Sequence, residues 1–392
     1  ADRRQGRIFR SLQNGLGGPP SILPPNRAGC CYSRAMSQPS DPNDSAASVS
    51  WRKSASDLEW PQLLDAVGQR CLSSVAADRV RAWRPADDRD EASARMTLTA
   101  EALAALERGD HIPRQDVCDI DATLARSRRG GELSGEALRD VGRVLAVAAE
   151  LRAWIATIHD LPALTARLGS EPNRPLADLA ATLARSIGGD GEVLDAASPA
   201  LAAARKTARD ARAALQSQLE RETSRLGDAL RDGSFVERDG RYGLPVRAVP
   251  GIVIGTSASG ATRYVEPPAV TAVTNRLRMA EADAEREAAR VRKALSERVA
   301  ALVDDVAWAY EAALTADQLG ALCRYATEVR GVAIAPQASG SVWLEAARHP
   351  LLCLREGGAV ASDVGVEAGQ ALIVSGPNAG GKTVALKCVG LA

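Results

Sequence analysis

Gly376-Pro377-Asn378-Ala379-Gly380-Gly381-Lys382-Thr383 fits the pattern G-x-x-x-x-G-K-[ST], and its reading governs that of the whole 392-residue chain. The apolar residues 371–374 precede it, and Val384, Ala385, Leu386, Cys388 and Val389 follow. This order predicts a strand, a glycine loop and a helix, the setting in which such a loop holds phosphate. Glycines let backbone N–H groups turn inward onto phosphate oxygens, and the helix N-terminus adds its dipole. Lys382 is placed to reach β and γ phosphates and the Thr383 hydroxyl to ligate Mg²⁺, so the eight residues read as a site for ATP with Mg²⁺. Only five basic residues are lysine, at 53, 206, 293, 382 and 387, in a chain that otherwise uses arginine. A slim ammonium fits inside a closed loop where a planar guanidinium does not.

Working outward from the loop, residues 342–344 and 371–375 read as short strands, so 341–392 is expected to begin an α/β nucleotide-binding domain. Upstream, Leu201, Ala204, Ala208, Ala211, Leu215, Leu219, Leu226 and Leu230 recur at steps of mostly three and four residues. After Pro267 and Pro268, Val270, Val273, Leu277, Ala280, Ala284, Val291, Leu295 and Leu302 do the same. Two narrow apolar seams on long charged helices predict an antiparallel coiled-coil lever, with arms at 199–234 and 268–306. The insert, 235–267, reads as β: Asp239-Gly240 is a hairpin signal, Ser257 to Gly260 a second turn, and Tyr242, Leu244, Val246, Ile252, Val253, Ile254, Tyr264 and Val265 favour strands. Residues 51–198 and 307–340 read as a helical core, with packing stripes such as Leu58, Leu63, Leu64, Val67 and Leu72, or Leu138, Val141, Val144, Leu145, Ala148 and Leu151. The expected fold class is therefore mainly α with α/β: a helical core, a lever carrying a small β clamp, and the start of a P-loop ATPase domain.

Composition bounds the partners. Formal net charge is zero, which removes a globally basic surface as an argument for nucleic-acid binding and leaves only local patches. In the clamp, Arg238, Arg241, Arg247 and Arg263 slightly outnumber Glu237, Asp239 and Glu266. Contact with nucleic-acid phosphates and an ordinary solvated face both remain open for these arginines. The seven cysteines form no C-x-x-C pair and read as reduced thiols, and His111 and His159 as surface or packing residues. No apolar run approaches a membrane span, so no membrane partner is expected. Residues 3–40 lack Asp and Glu but hold six arginines among Ser, Pro and Gly. Residues 1–50 are expected to be a transit peptide, for plastid or mitochondrion, or else a disordered leader to an intracellular soluble protein.

The loop and its flanks, with Leu386-Lys387 and Val389-Gly390-Leu391, resemble the Walker A region of the MutS2 branch of the MutS family. Ala347-Arg348-His349-Pro350-Leu351-Leu352 resembles the same region upstream. Asp239-Gly240-Arg241-Tyr242, Leu244-Pro245-Val246-Arg247, Pro250-Gly251-Ile252-Val253, the 257–262 turn and Val265-Glu266-Pro267 are similar to the MutS2 clamp. Leu58-Glu59-Trp60, Gly191-Glu192-Val193 and residues 195–199 also match, so the resemblance covers roughly 55–392. It departs in the clamp, where the segment between Arg247 and Pro250 is shorter than usual in the family, so the tip is expected to lack some basic contacts.

The resemblance implies an ATPase that dimerises through its ATPase domains and clamps its substrate. It places His349 beside the nucleotide, touching the base or shaping the turn. It further implies DNA of branched or recombination structure as partner, with a ribosome-associated ATPase acting on stalled ribosomes as the alternative and an inactive truncated product as a third reading. No mismatch-recognition domain is expected before Asp57, and so no direct reading of mismatches. The family's Walker B acid, signature loop and Smr endonuclease domain are not reached by Ala392, so this piece is not expected to turn over ATP by itself.

Overall fold

Helices begin where the sequence supplies caps. The side chains of Asp88, Ser134, Asn173 and Ser198 each accept a hydrogen bond from the backbone N–H three residues on, closing the first turn of helices that start at 89, 135, 174 and 199. Proline in the first turn of the helices that start at 60, 162, 174, 199 and 268 adds its preset φ where no N–H is needed. The computed structural model describes residues 46–392 apart from 170–172, 228–229, 231–234, 239, 247–249, 258–261, 335, 337–339, 356 and 378–379. It divides into Ala1–Ser54 and Ala55–Ala392. The leader lies outside the described residues up to 45, and helix α1, Ala46–Asp57, takes in 46–50, which composition assigns to that leader.

The body is built from α2 (Trp60–Gly68), α3 (Ser74–Arg81), α4 (Arg89–Glu107), α5 (Asp121–Arg128), α6 (Gly135–Ile155), α7 (Pro162–Leu168) and α8 (Arg174–Ser186). All six residues of the expected stripe on α6, Leu138 to Leu151, are buried. The other stripe ends early: Leu64 and Val67 are buried, but Leu72 lies beyond α2 and is 45% exposed. The helix at the centre is α11, Val303–Val329, buried nearly all round through Ala309, Tyr310, Ala312, Ala313, Leu314, Ala316 and Leu319. Its many alanines let neighbouring helices approach closely, which is why it shows no single apolar stripe.

One carboxylate sits inside this packing. Asp317 on α11 is 1% exposed and accepts hydrogen bonds from the Leu72 and Ser73 N–H groups (3.0 and 2.9 Å), from Ser73 Oγ (2.7 Å) and from Arg114 Nη2 (2.8 Å). Ser73 Oγ in turn accepts from the Val117 N–H. The network joins α11 to the start of α3 and to the loop before α5, and it saturates the charge with donors, as burial requires.

Helices α9 (Pro199–Leu226) and α10 (Pro268–Ala301) leave the body side by side, about 42 and 51 Å long at 1.5 Å per residue. Ala211, Leu215 and Leu219 late in α9 pack with Val270 and Leu277 early in α10, so the pair is antiparallel, and Arg212 pairs with Glu281 across the seam. At Leu302 the chain breaks before α11, so the second arm ends as a helix at Ala301.

Between the arms lies a four-stranded antiparallel sheet of β1 (Val236–Arg238), β2 (Arg241–Val246), β3 (Ile252–Thr256) and β4 (Arg263–Glu266), in the order β1-β2-β4-β3. Arg238 opposite Arg241 leaves the expected two-residue hairpin, with Gly240 at φ 67° and Asp239 outside the described residues. The second turn is closed by the Ser257 N–H donating to the Thr262 carbonyl. Leu244, Val246 and Val265 form its core, capped by Leu226 and Leu230.

The last segment has β5 (Val342–Ala347) and β6 (Ser362–Val366) paired antiparallel, α12 (Pro350–Cys353) and α13 (Lys382–Leu391). The expected strand over 371–375 does not form. Leu372, Ile373 and Val374 are 53, 87 and 40% exposed and belong to neither sheet. Apolar composition favours extended backbone, but pairing makes a strand, and 371–375 pair with neither free edge of the two-stranded β5–β6 sheet. The fold class is nonetheless the expected one, mainly α with α/β content.

Candidate functional site

The glycine loop ends at Gly381, whose φ of 77° caps α13 in a conformation costly for any side chain, and Gly376 at φ 148° opens it. Among the described residues no atom lies within 4 Å of a Cβ built on either glycine, so conformation demands glycine here. Lys382 is the first residue of α13 and folds back so that Nζ donates to the Gly376 carbonyl, drawing the two ends of the loop together. The Gly380 N–H bonds to the Pro377 carbonyl at 2.9 Å, and Thr383 is exposed in the first turn. Asn378 and Ala379 lie outside the described residues. The arrangement puts a helix N-terminus, a lysine and a hydroxyl at one end of α13, a donor set suited to a polyphosphate with its Mg²⁺.

Contacts to Glu59 fasten α13 and the start of α12 to the helical body. Lys387, on α13, bonds Glu59 at 2.9 Å, and His349 Nε2 lies 3.7 Å from the same carboxylate. Glu59 caps α2 in the left-handed region at φ 59°, a strained position for a non-glycine residue. Gly390 lets α13 lie close to Leu58, since a Cβ there would come within 2.6 Å of Leu58 Cδ2. Thus Leu58 and Glu59 anchor the helix that follows the glycine loop, a role that no spacing in the sequence announces. His349 is 2% exposed, with Nε2 toward Glu59 and Nδ1 buried without a hydrogen-bond partner among the described residues.

These contacts carry a pH signature. Burial, with lesser help from Lys387 and Arg355, holds the His349 imidazole below its ordinary value of 6.5, while Glu59 pulls the other way. The hydrogen bond from Lys387 holds Glu59 below its ordinary 4.5. A histidine with a depressed pKa in the folded state takes up its proton more readily when released, so its contribution is complete above 6.5 and declines as pH falls below that. Glu59 adds its own loss only on passing below 4.5. Between pH 7 and 5.5, hydrogen exchange in 349–353 and α13, corrected for intrinsic rates, should therefore accelerate, and His349→Gln should flatten the dependence. Identical pH slopes in the two proteins would contradict the assignment.

The clamp arginines separate into kinds. The Arg238 guanidinium stacks 4.6 Å from the Tyr264 ring centroid, and Arg241 bonds the fully buried Glu266 at 2.9 Å, so both are engaged within the clamp. Arg263 is exposed on β4, and Arg247 lies outside the described residues. The five described cysteines, Cys71, Cys118, Cys323, Cys353 and Cys388, are free thiols, and among the described residues no helix is long and apolar enough to cross a membrane.

Comparison with known proteins gives this geometry a lineage. Endonuclease MutS2 of Thermomicrobium roseum is 36% identical over 359 residues, covering 85% of this chain and 44% of its own length. Endonuclease MutS2 of Gemmatimonas aurantiaca is 36% identical over 350 residues, 85% of this chain and 42% of its own, and that of Geobacillus thermodenitrificans 34% identical over 350 residues, 85% and 44%. This chain is a homologue of MutS2. No family model matches it. The chain spans less than half the length of these MutS2 relatives, and the matched 85% is long enough to take in body, paired helices and clamp together.

Proposed function

We propose that this MutS2 homologue binds ATP with Mg²⁺ through residues 376–383 and, in its full-length form, uses that binding to control a clamp on branched DNA. The observation that carries the reading is the glycine loop closed by Lys382 at the start of α13, in a chain homologous to proteins named Endonuclease MutS2. Lys382 would neutralise charge on the β and γ phosphates, Thr383 would ligate Mg²⁺, and backbone N–H groups of the loop would bind phosphate oxygens. Bound Mg²⁺ would screen the polyphosphate and orient it. The anchor formed by Glu59, Lys387 and His349 supports the reading, because it gives movement of α13 a direct path to the body from which α9 and α10 project. Dimerisation through the ATPase domain is part of the same proposal.

A nucleic acid as partner is supported by the relatives' name, Endonuclease MutS2, and a large one by the reach of the paired helices, which carry a clamp with an exposed Arg263 about 40 Å along α9. Branched DNA is preferred to ribosomes because a dimer of such arms would enclose a space suited to crossing strands. The test is a competition at one salt concentration among a four-way junction, matched duplex, mismatched duplex and purified ribosomes, using the full-length protein. The junction should compete best, mismatched and matched duplex should be equal, and Arg263→Gln should lower affinity and reduce the salt slope by about one counterion. Tighter binding to ribosomes would replace DNA by RNA as the partner.

A further inference from the structure

We propose that Glu59, on the helical body, is a positioning residue for the nucleotide site. Through Lys387 its carboxylate sets the orientation of α13, and with it the Thr383 hydroxyl and the loop N–H groups that would receive Mg²⁺ and phosphate. The inference rests on the reading of residues 376–383 as that site. Glu59 acts on the helix behind the loop rather than on the loop.

The helix has little else to hold it. Of the ten residues of α13, Cys388 alone is buried, so apolar packing does little to fix how the helix is turned about its axis. Thr383, Lys387 and Gly390 follow one another at steps of four and three, which puts them on one face. That face is gripped by the body: Lys387 Nζ donates to the Glu59 carboxylate at 2.9 Å, and Gly390 leaves room for Leu58. A rotation of α13 that breaks the ion pair therefore swings Thr383 as well. The opening of the loop moves with it, because Lys382 ties Gly376 to the helix N-terminus.

The carboxylate is shared. His349 Nε2 lies 3.7 Å from it, and His349 stands at the start of α12, upstream of the loop, so Glu59 meets the chain both before and after residues 376–383. Its backbone reaches this place at a cost. At φ 59° glycine would rest more easily, and Glu59 is kept there by its N–H donating to the Ser56 carbonyl and by the Leu63 N–H donating to its own carbonyl. A turn that served only to start α2 would be better made by glycine, so the side chain here is explained by what it grips. Because orientation and binding are linked, bound nucleotide must in turn tighten the contact between Glu59 and Lys387.

The test titrates a fluorescent ATP analogue into the full-length protein, at saturating Mg²⁺ and then as a function of Mg²⁺. The parent is compared with Lys382→Ala, Glu59→Gly, Lys387→Ala and the double variant of the last two. Glu59→Gly should weaken binding about three- to fivefold, the worth of one partly exposed ion pair, and raise the Mg²⁺ concentration at half-maximal binding. The unfolding midpoint should not fall, since relief of the left-handed backbone offsets the lost contact. Lys387→Ala should lower affinity to a similar extent, and the double variant should bind no worse than the poorer single one, because both act through one contact. If Lys382→Ala binds as the parent does, the reading of the loop fails and this inference with it. If Lys382→Ala loses binding while Glu59→Gly keeps it, the loop is the site and Glu59 does not position it. The same holds if the two single losses add, or if the loss comes with a lower midpoint and an unchanged Mg²⁺ requirement.

Discussion

Lys382→Ala is expected to weaken binding of ATP with Mg²⁺ by about 100-fold while leaving the helical body folded. In the structure Nζ spans the loop from α13 to the Gly376 carbonyl, so the substitution removes the tie that shapes the loop and, on the proposed reading, the charge that would meet the phosphates. A hydrogen bond to a charged group is worth about 1.5–3 kcal/mol, and losing it in a site built around a polyanion reaches the upper end of that range. Lys382→Arg should not restore binding, since the guanidinium is too broad for the loop. Equilibrium titration with a fluorescent ATP analogue would decide it; a change of less than threefold would place the nucleotide elsewhere.

The largest loss of stability is expected from Asp317→Ala, about 3–5 kcal/mol in urea unfolding. Removing one member of a buried ion pair leaves the other charged and unsolvated, here Arg114 at 8% exposure. The N–H groups of Leu72 and Ser73 would lose their acceptor at the same moment, loosening α3 from α11. Replacing the pair together, Asp317→Leu with Arg114→Met, should recover much of the loss, because an apolar pair leaves no buried charge. A cost below 1 kcal/mol for Asp317→Ala would show that the network is not what joins these helices.

What the sequence conveys and what it withholds follow from the physics of each signal. Periodicity reports burial, so the α6 stripe and the seams of α9 and α10 are legible, and turn chemistry reports hairpins, so β1 and β2 are legible at Asp239-Gly240. Ala288 and Val299 are missed on α10 although they are buried at 3 and 0%, because the seam read from the sequence skips them. The glycine loop is legible as a motif because it is local. Its anchor is not: Glu59 and Lys387 meet across more than three hundred residues, and each alone is an ordinary helix-end charge. The same distance hides Asp317, which in sequence is one acid among forty-nine. The apolar run over 371–375 shows the opposite failure, where local propensity is clear but the run pairs with neither β5 nor β6.

Hydrogen exchange of the 376–392 amides, measured with and without ATP and Mg²⁺, tests the central claim most directly, since phosphate held by this loop must occupy its N–H groups. The account predicts marked slowing across 376–383 and the first turn of α13, abolished by Lys382→Ala. Bound ATP that leaves these amides exchanging at their free rates, or that protects them equally in the Lys382→Ala chain, would contradict it.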